Sequence, residues 1–171
     1  RSSMKPLQAL GMVRAGLAVE DELLALSCAS HSGEPFHVEG VRKILTGVGL
    51  GEEHLRCPAD LPLNELARHR AIRENDTPSR LYMNCSGKHA AMLATCVVNG
   101  WPTSSYLSPR HPLQQAILRT VEELAGERVP ATGVDGCGAP LFALTLAGLA
   151  RSFRVLVLAA RVFMLVRENL S

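Results

Sequence analysis

The stretch Asn84-Cys85-Ser86-Gly87-Lys88-His89 places a carboxamide, a thiol, a hydroxyl, an amine and an imidazole within six residues. The chain then turns apolar and helical through Ala90, Ala91, Met92, Leu93, Ala94, Thr95, Cys96, Val97 and Val98, until Gly100 stops it. The polar cluster therefore lies where a helix begins. Helix starts carry unpaired backbone N–H groups and a partial positive charge. Both favour an anion and lower the pKa of a thiol held there. Cys85 is thus a candidate reactive or metal-binding thiol, with Lys88 and His89 one turn away. A capping Ser86 beside a small buried Cys85 accounts for the same letters.

Composition narrows the class. The chain has 171 residues, 47% of them hydrophobic and 20% charged, which suits one globular domain with a substantial core. Net charge is +2 and aromatics make up only 4%. Without a basic stripe or stacking platforms, nucleic acid is not an expected partner. The five cysteines are odd in number and form no close pair, which points to a reducing, cytoplasmic setting. The longest apolar run, Val155 to Val166, contains Arg161 and is too short to span a bilayer, so no membrane is expected.

Earlier in the chain, Ser2-Ser3-Met4-Lys5-Pro6-Leu7-Gln8 leads a helical pattern ending at Gly16, with Ser3 as the expected N-cap. Ser2 and Lys5 form an S-x-x-K pair. Residues three apart share a helix face, so hydroxyl and amine can meet. A serine attacks only when a base takes its proton, and a desolvated lysine can do so. The motif is short, and a capping serine before an exposed lysine fits it too.

Further helices are expected from Val19 to Leu26, from His37 to Val48, from Asn64 to Asn75 and from Leu113 to Leu124. In the Asn64–Asn75 segment, Leu66, Ala67, Ala71 and Ile72 form the expected inward face. The loop Ser27 to Pro35 is dense in hydroxyls around His31 and reads as a turn or as a substrate-facing loop. In Asp135-Gly136-Cys137-Gly138-Ala139-Pro140 a carboxylate and a thiol stand between glycines, which permit close backbone approach. Pro140 is expected to open a helix from Leu141 to Phe153. Strand signals are scarce. The chain starts on Arg1 with a polar motif at once, so the expectation is one domain over 1–171 that is incomplete at its N-terminus and near its C-terminus.

Taken in order, S-S-x-K-P-x-Q, H-S-G-E, N-C-S-G-K-H, L-x-P-x-H-P-L-Q-Q and V-D-G-C-G-A-P resemble the L-asparaginase II family of the rhizobial type, over residues 1 to about 153. The resemblance implies hydrolysis of the L-asparagine side-chain amide to aspartate and ammonia. It implies a mixed α/β (α+β) fold like serine β-lactamases and penicillin-binding proteins, an antiparallel sheet flanked by helices, with the helix-rich portion dominating here. A homodimer is implied as well. By the same resemblance, Ser2 is the nucleophile, Lys5 its base and Ser32 a further catalytic residue. Cys85, Lys88 and Cys137 bind zinc, which serves substrate binding. Asp135 and His89 lie at the substrate, His89 alternatively in the metal's outer shell. The spacing of the cysteines by itself does not indicate zinc. Rival functions are a glutaminase, a β-lactam-interacting serine acyl-enzyme, and a non-catalytic zinc-binding or thiol module.

Overall fold

The computed structural model describes residues 2–19 and 21–168, without the side chains of Ser2 and of 160–168. Seven α-helices and one two-stranded sheet are present among these residues. The helices are α1 (Lys5–Arg14), α2 (Asp21–Cys28), α3 (Pro35–Thr46), α4 (Glu65–Arg73), α5 (Ser86–Val98), α6 (Pro112–Ala125) and α7 (Leu146–Glu168). The strands β1 (Thr132–Val134) and β2 (Pro140–Phe142) pair antiparallel, with Val134 opposite Pro140. The composition is therefore mixed α and β, with helix dominant.

Helix α5 is the centre. Every residue from Ser86 to Cys96 is buried. A helix that is apolar on all sides belongs in a core, and here its polar first turn is buried along with it. Helices α1, α2 and α3 pack on α5, and α6 covers α1. Two glycines set the spacing. A Cβ on Gly87 would meet the Leu26 carbonyl oxygen at 2.7 Å, and one on Gly11 would meet Ile117 Cα at 2.9 Å. The letters N-terminal to Lys88 and in mid-α1 are thus small because neighbouring backbones pass there.

Helix ends follow local chemistry. Asn64 Oδ1 accepts from Ala67 N–H at 2.9 Å to cap α4. His111 Nδ1 accepts from Leu113 N–H at 3.1 Å to cap α6, and Gly126 closes it at φ 62°. No helix among the described residues is long and apolar enough to cross a membrane. All five cysteines are free.

Three expectations are corrected. Ser3 is not an N-cap: Ser2–Met4 is already wound as a 3-10 turn that runs into α1 at Lys5. Pro140 does not open a helix: it pairs in β2, and the helix starts later. There Thr145 Oγ1 accepts from Gly148 N–H at 2.9 Å, and Glu127 takes the Thr145 N–H and hydroxyl at 2.7 and 2.8 Å. The inward face assigned to α4 is also wrong. Leu66 and Ile72 are 75% and 54% exposed, and only Ala71 is buried, because no other described element packs extensively against α4.

Candidate active site

The first turn of α5 collects the chemistry. Cys85 is its N-cap residue, buried, and as a thiol it donates to Asn84 Oδ1 at 3.0 Å. A hydrogen bond from Cys137 draws the Cys85 pKa down to about 6, against burial, with the Lys5 and Lys88 ammonium groups adding to the pull. Its partner moves the other way. The same bond and burial push Cys137 up to about 11. The two thiols titrate as a coupled pair, with Cys85 the more acidic member.

Cys137 arrives on the β1–β2 hairpin. Asp135 N–H donates to the Ala139 carbonyl and Gly138 N–H to the Asp135 carbonyl, each at 2.8 Å. Gly138 at φ 86° makes the turn possible. The hairpin tip carries Cys137 into the interior, fully buried, although β1 itself is exposed. Lys88 Nζ meets Cys137 Sγ at 3.4 Å and Asp135 Oδ2 at 3.8 Å, with both charged side chains buried. A buried ammonium needs such partners, since leaving either charge alone costs several kcal/mol. His89, one residue on, is fully buried, and its Nδ1 lies 2.7 Å from Tyr106 Oη. Burial holds its imidazole neutral.

Lys5 joins this cluster from α1. Its buried amine donates to the Ala29 carbonyl at 2.8 Å and to Ser30 Oγ at 2.7 Å. Burial lowers its pKa, while the Cys85 thiolate beside it works in the opposite sense. The amine therefore has base character. The loop that presents Ser30 is held by His31. Gly33 N–H donates to His31 Nδ1 at 3.1 Å, so Nε2 carries the hydrogen and gives it to Ser86 Oγ at 2.7 Å. Ser86 passes its own hydrogen to the Leu81 carbonyl at 2.9 Å. His31 N–H also donates to the Asn84 carbonyl. Burial, with His37 and Lys5 nearby, holds His31 down to about 4.

The structure brings together Lys5, Cys85, Lys88, His89, Asp135 and Cys137. Ser2 opens the 3-10 turn before Lys5, and its side chain lies outside the described residues. The Ser32 carbonyl accepts from Asn64 N–H at 2.8 Å, and the hydroxyl that meets Lys5 is that of Ser30. Ser30 and Ser32 flank His31 symmetrically in the sequence. No local signal in the sequence tells which of the two hydroxyls meets Lys5.

A metal would find a partial donor set. Among the described residues no three His, Cys, Asp or Glu side chains converge as a metal group, so the set is complete only with the Lys88 amine. The separation of 3.4 Å between Lys88 Nζ and Cys137 Sγ is close to the edge of about 3.6 Å in a tetrahedron with zinc–ligand bonds of about 2.1 and 2.3 Å. The lowered Cys85 pKa eases the loss of the thiol proton that metal binding requires. The Lys88–Cys137 spacing and the lowered Cys85 thiol are compatible with zinc at a three-donor set of Cys85, Lys88 and Cys137.

A sequence model described as L-asparaginase II matches residues 1–169. No curated protein matches the chain.

Proposed function

The chain belongs to the L-asparaginase II family, and from that premise we propose that it hydrolyses the side-chain amide of L-asparagine through a serine acyl-enzyme. The observation that carries the reading is the Lys5 amine. It is buried, lowered in pKa, hydrogen-bonded to Ser30, and three positions after Ser2 in a wound segment. In a 3-10 turn, positions three apart stand over each other.

Ser2 Oγ attacks the carboxamide carbon, and Lys5 takes its proton. Lys5 donates to Ala29 and Ser30 and also faces Cys85; it acts as base in its unprotonated form, whose lone pair takes the proton. Backbone N–H groups at the helix start hold the oxyanion. The C–N bond breaks, the proton on Lys5 goes to the leaving nitrogen, and ammonia departs. Water then attacks the ester and gives a proton to Lys5, the bond to Ser2 Oγ breaks, and Lys5 returns that proton to Ser2 Oγ as aspartate leaves. Cys85, Lys88 and Cys137 would hold zinc, which when bound supplies a positive charge to anchor a substrate carboxylate. Asp135 would receive the substrate amine, and Ser32 would serve as a loop hydroxyl with a secondary part.

The β1–β2 hairpin is read as part of an antiparallel sheet of serine β-lactamase type, supported by the exposure of β1. The five free thiols support a cytoplasmic setting. A homodimer belongs to the same proposal. A second reading, a zinc or thiol module without hydrolysis, is favoured by one observation, the depressed Cys85 next to Cys137.

Ammonia release separates these readings. Wild-type protein is expected to release ammonia from asparagine, more slowly from glutamine, and to leave nitrocefin intact. Ser2→Ala and Lys5→Ala are expected to abolish release with unchanged circular dichroism. Near-normal release by either variant removes that residue from the mechanism. A folded, inactive wild type supports the module.

A further inference from the structure

His89 Nε2 is a fully buried nitrogen that meets no N or O partner among the described residues and has the Cys137 sulfur beside it. The other ring nitrogen, Nδ1, lies 2.7 Å from Tyr106 Oη. Tyr106 is also fully buried, and its oxygen accepts from Arg56 N–H at 3.0 Å. A phenol has one hydrogen to give. Arg56 N–H is itself a donor, so among the described residues the acceptor for that hydrogen is His89 Nδ1. The opposite arrangement, Nδ1–H donating to the phenol, would leave the hydroxyl hydrogen buried and unpaired at a cost of about 1–3 kcal/mol. The hydrogen of the neutral imidazole is therefore on Nε2. The polar neighbour available to it is the Cys137 sulfur.

We propose that Tyr106 is a positioning residue: it fixes His89 as its Nε2–H tautomer, which directs that hydrogen at the Cys137 sulfur and orients the sulfur towards a metal shared with Cys85 and Lys88. The metal part rests on the zinc reading of the preceding subsection. Of the two parts the resemblance implies for His89, the assignment takes the outer-shell one, and what it adds is Tyr106 behind it. Tyr106, in the loop before α6, carries no motif that marks it in the sequence. An outer hydrogen bond of this kind orients a metal ligand, and its loss typically weakens metal binding 10- to 100-fold.

Two measurements on the full chain test it. Long-range proton–nitrogen correlation spectra of the metal-free protein report the tautomer of each histidine, with His89 identified by its absence in His89→Gln. The expected result is Nε2–H in wild type and growth of the other tautomer in Tyr106→Phe. Zinc affinity is then measured by competition with a chromophoric chelator, with circular dichroism confirming each fold. Tyr106→Phe and His89→Leu are expected to bind zinc about 10- to 100-fold more weakly. His89→Gln, whose amide N–H reaches near the Nε2 position, stays close to wild type. An Nδ1–H tautomer in wild type overturns the proposal, as does unchanged zinc affinity in Tyr106→Phe. Equal losses in His89→Gln and His89→Leu reduce the residue to packing and overturn it as well. If wild type binds no zinc, the metal reading falls, and the tautomers of wild type and Tyr106→Phe alone decide the Tyr106–His89 assignment.

Discussion

Lys5 Nζ donates to Ser30 Oγ at 2.7 Å, tying the first turn of α1 to the loop after α2. The contact selects one hydroxyl of a serine-rich loop. Ser30→Ala is expected to lower ammonia release roughly 100-fold, because the amine loses a fixed partner and with it its alignment. Ser32→Ala is expected to change it only a few-fold. Steady-state kinetics on both variants decide the matter, and a larger loss in Ser32→Ala would reverse the assignment.

Gly87→Ala should destabilise the protein without adding or removing any polar group. The new methyl would sit 2.7 Å from the Leu26 carbonyl oxygen and 2.8 Å from Leu26 Cγ, so α2 must move off α5. Overpacking of this kind costs about 1–3 kcal/mol. For a chain of this size that lowers Tm by roughly 2–12 °C. A thermal melt equal to wild type would show that the two helices separate freely.

Stability should fall with acid through His31. The folded imidazole titrates at about 4 against an ordinary 6.5, so the neutral form is the one the fold prefers. Its contribution is complete above pH 6.5 and is lost as pH falls towards 4, by up to about 3 kcal/mol. Urea midpoints at pH 7.5 and 4.5 should converge less for wild type than for His31→Gln, which has no proton to take up. Parallel pH dependence in the two proteins would exclude His31 as the source.

Zinc content should track two cysteines out of five. Cys85→Ser and Cys137→Ser are expected to leave the protein with background zinc after gel filtration. Cys28→Ser, on the half-exposed end of α2, should retain it. Loss of zinc in Cys28→Ser, or retention in both site variants, would place the metal elsewhere.

Much of the architecture is legible in local pattern. The apolar run after His89 yields α5, and His111-Pro112 with Gly126 brackets α6, because caps and periodicity act within a few residues. What escapes is decided at long range. Pro140 reads as a helix opener until Val134 pairs with it across the hairpin. Leu66 and Ile72 mimic a buried stripe that no element among the described residues covers. At the site, the polar letters of Cys85, Lys88 and Cys137 stand out in the sequence. The choice of Ser30 over Ser32 and the part of Tyr106 depend on contacts with Lys5 and His89, and neighbouring residues do not encode that.

The hairpin that buries Cys137 has a consequence in time. Cys85 and Cys137 are 52 positions apart, and ribosomes add about 5–20 residues per second. Some 3 to 10 s therefore pass between the synthesis of one thiol and of its partner. During that interval the nascent chain holds Cys85 without the sulfur that later shields it. Vectorial synthesis thus leaves this thiol open to chance oxidation or stray metal before the pocket closes around it.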